Sequence, residues 1–352
     1  MDIKQYLNTW ASDYKHELQK NIMPFWLEHG LDRQHGGVYT CLDREGRLMD
    51  TTKSVWFQGR FGFIAAYAYN QVEKNPDWLA ASKSCVDFIE QHCIDTDGHM
   101  FFEVTGDGQP LRKRRYVFSE CFAAIAMSEY SIASGDTTYA LKALDMFKNI
   151  QKFLSTPGFL EPKYLPTLQS RGHSITMILI NTASRIRAAI ADPILDKQID
   201  ESLSAIRHYF MHPEFKAVLE MVGPNGEFMD TCNGRLINPG HCIETSWFIM
   251  EEAKYRNWDK NLVQMALEIL EWSWEWGWDK EYGGIINFRD CRNFPVQDYS
   301  QDMKFWWPQT EAIIATLYAY QATHDEKYLA MHKQISDWTY AHFPDSEFGE
   351  WY

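Results

Sequence analysis

One unit recurs along this chain and limits what it can fold into. A polar, aromatic opening is followed each time by a short apolar segment rich in small residues. The openings are KSVWFQGR around Arg60, RRYVFSE around Ser119, SRGHSIT around His173, NPGHCIET around His241 and KFWWPQTE around Trp307. They recur roughly every 55 to 70 residues, too far apart for a single helix-pair solenoid but suited to large helical hairpins with elaborated loops.

The periodicity inside these units is helical. Phe61, Ile64, Ala65 and Ala68 fall on one helix face, as do Phe118, Cys121, Phe122, Ile125 and Tyr130, and again Leu262, Met265, Ala266, Ile269 and Leu270. Between the openings lie more charged, amphipathic stretches such as Asp77–His92 and Asp196–Tyr209. Segments like CFAAIAMSEY are apolar on most sides and belong inside, whereas amphipathic ones face water on one side. An inner ring of buried helices within an outer ring of amphipathic ones satisfies both. The predicted fold is therefore all-α, an α/α barrel of six hairpins, with five openings readable and the sixth hairpin incomplete. VYTCLDREGRLMD, MFFEVTGDGQPLR, VLEMVGPNGEFMD and IINFRDCRNFPV each set a Gly-containing turn, or an equivalent, between β-prone stretches, and predict four short hairpins gathered at one end.

With 352 residues and 45% hydrophobic composition, the chain has material for one large core, and residues 1–352 read as a single domain. The formal charge of -14 argues against nucleic acid and anionic membrane partners. The one basic run, Arg112-Lys113-Arg114-Arg115, sits beside a Gly/Pro turn and reads as a solvated loop. Seven scattered cysteines without a Cys-x-x-Cys pair indicate neither a disulfide framework nor a zinc ribbon. MDIKQYLNTWASDYKHEL reads as an amphipathic helix without the apolar core of a signal peptide, so the expected location is the cytoplasm. Fourteen Trp suit a carbohydrate cleft, where a flat ring covers the apolar face of a sugar.

His241 leads the chemistry. It follows the helix-entry turn Asn238-Pro239-Gly240, and Glu244, three residues on, shares its face, where it can hold the imidazole or engage substrate. The competing reading is a capped helix start with an acid in the first turn. Arg60 enters an otherwise apolar helix, and a buried arginine needs a partner, either an ion pair or sugar oxygens. His173 opens SITMILINTA and is either a satisfied core histidine or a cleft residue. Trp306 and Trp307 cannot both point inward from one helix, so one lines a cavity or packs under a loop. Both are candidate substrate-binding residues, with Glu311 one turn further on. Gly36-Gly37 and Gly283-Gly284, in LDRQHGG and WDKEYGG, read as turns. A phosphate-binding P-loop, a His-Glu-x-x-His zinc helix and a Gly-x-Ser-x-Gly elbow are absent from the sequence.

Taken together, FWLEHGLDRQHGGVYTCLDREGR, KSVWFQGR, YVFSECFAAIAMSEY, NPGHCIETSW and KFWWPQTEA, in this order over nearly the whole chain, resemble the N-acylglucosamine 2-epimerase family. The resemblance implies a six-hairpin α/α barrel, often a homodimer, that interconverts an N-acylglucosamine and its mannosamine epimer at C2. It makes His241 one of two catalytic histidines and places Arg60, His173, Glu244 and Glu311 in the substrate cleft. It requires no metal or nicotinamide; ATP, for some members, activates without being consumed. Two departures stand out. Gln309 occupies a position where the family often has His. The second catalytic histidine is expected after a Gly-Glu-Trp-Tyr segment, and this chain stops at Gly349-Glu350-Trp351-Tyr352. The segment bearing that histidine is therefore expected to be missing, and the 352-residue chain to be a poor catalyst.

The chemistry suits these residue types. C2–H becomes acidic beside the aldehyde of the open-chain sugar, a histidine can remove it near neutral pH, and donors stabilise the enediolate. The rivals are an aldose–ketose isomerase, an α/α-barrel glycoside hydrolase using Glu244 and Glu311, and a non-catalytic regulatory binding protein.

Overall fold

The computed structural model describes residues 2–113, 116–161 and 163–352. Helices dominate it, and the chain divides into two units. The first comprises Met1–Lys163, Arg185–Leu195 and Pro344–Tyr352, the second Tyr164–Ser184 and Asp196–Phe343.

In the first unit, Asp2 caps α1 (Ile3–Glu17) by accepting the Gln5 N–H, and π turns lead on into α2 (Met23–Phe25). β1 (Cys41–Leu42) and β2 (Leu48–Asp50) form a hairpin. β3 (Lys53–Ser54) enters α3 (Val55–Gln71), which α4 (Pro76–His92) follows. β4 (Phe101–Val104) and β5 (Pro110–Lys113) complete a three-stranded sheet with β3. Two helices then follow, α5 (Phe118–Ser134) and α6 (Thr137–Ser155).

The two expected helix types are present. Every residue of α5 from Ser119 to Ser131 is buried. In α6 only the stripe Tyr139, Ala140, Ala143, Leu144, Phe147, Ile150 and Phe153 is buried. Each large apolar side chain so placed contributes about 1.5–3 kcal/mol. The buried face of α3 differs from the predicted stripe. Gly59, Gly62, Ala65, Ala66 and Ala68 are buried, whereas Ile64 is exposed. Small residues win this face because α5 lies close: a Cβ on Gly59 would fall 2.6 Å from the Phe122 carbonyl carbon. The basic run was expected to be a loop, but Arg112 and Lys113 belong to strand β5 and pair with Glu103 and with Asp95 and Asp97; Arg114 and Arg115 lie outside the described residues.

In the second unit, β6 (Arg171–Gly172) leads into α7 (His173–Ala189), and α8 (Pro193–Ala205) follows. The unit boundary cuts both helices. β7 (Met211–His212), β8 (Ala217–Val218), β9 (Met221–Val222) and β10 (Leu236–Ile237) precede α9 (Pro239–Tyr255) and α10 (Lys260–Gly277). β11 (Arg289–Asp290), α11 (Trp306–Thr323) and α12 (Glu326–His342) complete it. α9 packs on α10 and α11, and α11 on α12.

Of the four predicted hairpins, the first two form. The other two do not close on themselves: β8 pairs with β7, β9 with β6, and β11 with β10. Their β-prone residues are satisfied by partners distant in sequence, which local turn signals cannot identify.

One loop clasp is built twice. Asp32 Oδ1 accepts the N–H groups of Gln34 and His35, and its Oδ2 accepts from Lys53 Nζ at 2.7 Å. The same ammonium donates to Gly36 O and Gly106 O. Gln58, five residues after Lys53, then locks Val38 by accepting its N–H at 2.8 Å and donating to its carbonyl at 2.6 Å. In the second unit Asp279 Oδ1 takes the N–H groups of Glu281 and Tyr282, and Lys304 Nζ meets Asp279 Oδ2 at 2.7 Å. Gln309, again five residues on, locks Ile285 through bonds of 2.7 and 2.8 Å. Gly36 and Gly37, like Gly283 and Gly284, have φ between 71° and 82°, which only glycine adopts freely. Gln309, fully buried, is thus a backbone clamp. Seven residues after each lysine stand Arg60 and Glu311.

Candidate active site

His241 is the third residue of α9. Asn238 caps the helix by accepting the His241 N–H at 3.1 Å, and Pro239 fixes the first turn. Gly240 is required here, because a Cβ would fall 2.4 Å from Cη2 of Trp307. Its absence lets Trp307 settle on the helix start, with its ring centroid 5.5 Å from that of His241. Trp306 turns away and is exposed, so the two adjacent tryptophans diverge.

The carboxylate on the imidazole comes from an unexpected place. Glu220 Oε1 lies 3.1 Å from His241 Nδ1, and Glu220 stands between β8 and β9. Sequence reasoning had offered Glu244 for this bond. Glu244 shares the face as predicted, is half-buried, and adds negative charge near His241. The signal for Glu220 was a single carboxylate inside the apolar run Val218-Leu219-Glu220-Met221-Val222.

His173 opens α7 and is wholly buried, with its Nδ1 3.5 Å from the same Glu220 oxygen. At that separation Nδ1 makes no hydrogen bond. Its Nε2 lies 3.2 Å from Thr245 Oγ1, and its backbone N–H donates to Glu220 O at 3.0 Å. His173, expected in the substrate cleft, is wholly buried. The His241 side chain is 30% exposed against none for His173, so His241 is the histidine that can meet a substrate. Glu311 Oε2 accepts from Trp247 Nε1 at 2.6 Å, and Glu311 adds a further negative charge toward His241. The second unit therefore gathers His173, Glu220, His241 and Trp307, with Glu244 and Glu311 acting on His241 through charge.

Arg60 belongs to the first unit. It is exposed, not buried as the apolar helix had suggested, and its guanidinium lies over the Phe122 ring at 4.4 Å. It needs no ion pair because solvent and the ring face accommodate the charge.

The charges tune the site. Burial works to depress the His241 pKa, but the Glu220 charge and hydrogen bond, with Glu244 and Glu311 adding to them, raise it above the ordinary imidazole value. Burial works to raise Glu220, yet the charge of His241 above all, with its hydrogen bond, holds it far below the usual carboxylate range. Among the described residues no three His, Cys, Asp or Glu side chains are grouped to hold a metal ion.

The N-acylglucosamine 2-epimerase family model matches residues 37–352. The bovine N-acylglucosamine 2-epimerase is 31% identical over 366 aligned positions, covering 99% of this chain and 84% of that protein. The cellobiose 2-epimerase of Ruminococcus albus is 26% identical, covering 97% and 89%. Among solved structures, cellobiose 2-epimerase from Bacillus thermoamylovorans superposes with a TM-score of 0.86 at 21% identity, covering 98% and 91%.

Proposed function

The chain belongs to the N-acylglucosamine 2-epimerase family, and we propose that it interconverts an N-acylglucosamine and the matching N-acylmannosamine at C2. The observation that carries the reading is His241, partly exposed, packed beside Trp307 and tied through Nδ1 to the Glu220 carboxylate. In the open-chain sugar, C2–H lies next to the aldehyde. Its proton passes to His241, and the electron pair left behind forms the C1–C2 enediolate. Reprotonation from the opposite face inverts C2. Trp307 offers a flat ring to the sugar. Glu244 and Glu311 line the site, and Arg60 and Trp306, both exposed, are proposed substrate contacts. His173 acts from behind Glu220. No metal or nicotinamide enters this route.

The contrast between α5 and α9, buried on most sides, and α6, α10 and α12, buried along one stripe, supports the inner and outer rings of a six-hairpin α/α barrel. Seven free cysteines fit a reducing cytoplasm. No helix among the described residues is long and apolar enough to cross a membrane. Homodimer formation and ATP activation come with the family resemblance and are read by sedimentation and by rates with and without the nucleotide.

The deciding experiment is proton NMR of N-acetylmannosamine in heavy water with the protein. Deuterium entering C2 together with the anomeric signals of the gluco epimer supports the proposal. A ketose product would make the protein an aldose–ketose isomerase. Absence of exchange would leave a binding protein.

A further inference from the structure

The proposed proton transfer depends on which nitrogen of His241 faces the sugar, and the network behind the ring decides that. Glu220 stands on tied backbone: its N–H donates to Leu236 O, and its carbonyl accepts from His173 N, both at 3.0 Å. The carboxylate is therefore presented from a fixed position, with its side chain 15% exposed. One oxygen, Oε1, faces two imidazoles, at 3.1 Å from His241 Nδ1 and 3.5 Å from His173 Nδ1.

The hydroxyl between the histidines fixes the other protons. Thr245 Oγ1 donates its single proton to His241 O at 2.8 Å, so it accepts from His173 Nε2. His173 therefore carries its proton on Nε2 and is held in place by Thr245 and by Glu220 O. It packs against the Glu220 carboxylate without taking the hydrogen bond meant for His241. An ionised carboxylate only accepts, so His241 Nδ1 is a donor and its Nε2 holds the lone pair.

Resting on the epimerase reading, we propose that Glu220 is the positioning residue of the reaction: it fixes His241 as the Nδ1–H tautomer, leaving Nε2 as the base, and it balances the imidazolium formed when Nε2 takes the C2 proton. The C2–H bond breaks, its electron pair enters the enediolate with negative charge on the former carbonyl oxygen, and the proton becomes Nε2–H. The positive charge is then shared over the imidazolium ring, whose Nδ1–H faces Glu220 Oε1. Glu244 on the same helix and Glu311 on α11 face the ring as charges, and Cys242 beside it is buried with its thiol held protonated.

Two measurements test this. Nitrogen-15 NMR of histidine-labelled wild-type protein reads the His241 tautomer directly, with His241→Ala supplying the assignment. Nδ1–H above the titration midpoint is the expected result, and Nε2–H overturns the proposal whatever the activity. In Glu220→Gln, which keeps a hydrogen-bonding group but removes the charge, kcat should fall about 10- to 1000-fold with KM within about twofold. The acid limb of its pH profile should move to lower pH, since His241 loses the charge that raises its pKa. An unmoved acid limb, with activity loss matched by a lowered melting temperature, makes Glu220 a structural residue only. If the wild-type protein itself exchanges no C2 proton, the epimerase reading fails first and takes this inference with it. If it does exchange and only the Glu220→Gln profile stays unmoved, this inference alone fails.

Discussion

The amino end of a helix is a poor place for a positive imidazole, because the backbone dipole points its positive end there. His241 sits in that first turn, and its pKa is raised because the Glu220, Glu244 and Glu311 charges outweigh burial. The pH dependence follows in sign. The base must be neutral, so kcat/KM should rise with pH to a plateau, with a midpoint above the ordinary imidazole value of about 6.5. Stability runs the opposite way. A raised pKa in the folded state contributes stability that is complete below about 6.5 and lost as pH rises through the folded value. A pH–rate profile and a melting series in the same buffers check both. His241→Ala should lower kcat about 100- to 10,000-fold with a melting shift within roughly 3 °C, because the side chain is partly exposed. A severe melting loss would mark a packing residue. His241 was legible in the sequence because its turn, Asn-Pro-Gly, is local. Glu220 was not, because its partner stands 21 residues away and reaches it by a strand pairing that no spacing rule encodes.

The clasps tie loops to the elements that carry Arg60 and Glu311. Asp32 is pulled down to about 2: burial opposes this, but the Lys53 ammonium and two backbone N–H groups prevail. Asp279 reaches about 2 by the same balance with Lys304. Each contributes stability that is present above about 3.9, the value in an unfolded chain, and is lost as pH falls through 2. Lys53 and Asp32 are almost wholly buried, so Lys53→Met strands a buried carboxylate and should cost about 3–5 kcal/mol. Lys304→Met should cost less, because solvent reaches that pair. Urea titration of both variants checks the order, and equal losses would show that burial does not set the difference. Both glycine turns and both openings were readable as sequence patterns. Their joining through Lys and Gln was not, since nothing in a sequence marks a lysine such as Lys53 as buried in a strand. The Gln309 departure is likewise explained only by the Ile285 backbone it holds.

At the scale of the molecule, the alternation of apolar and amphipathic segments was enough to predict a helix-dominated chain, because 3.6-residue periodicity survives wherever helices pack. The third and fourth hairpins were misread because β-prone residues report a strand and not its partner. The formal charge of -14 bears on the substrate. A neutral amino sugar is not steered by that field, whereas a sugar phosphate is repelled. Thus kcat/KM for N-acetylmannosamine should change less than about twofold between 20 mM and 500 mM salt, while any rate with its 6-phosphate should rise as salt screens the repulsion. A strong salt dependence with the neutral sugar would contradict this. The repeated clasp has a consequence for ancestry and for laboratory evolution. The same scaffold of Asp loop, Lys and Gln carries an arginine in one copy and a glutamate in the other, seven residues beyond the lysine. A duplicated segment whose framework is held by its own internal bonds can carry either sign at that seventh position. Descent by duplication and divergence would produce this pattern. Randomising Arg60 and Glu311 together should therefore yield mostly soluble variants, a library in which new sugar preferences can be selected apart from foldability.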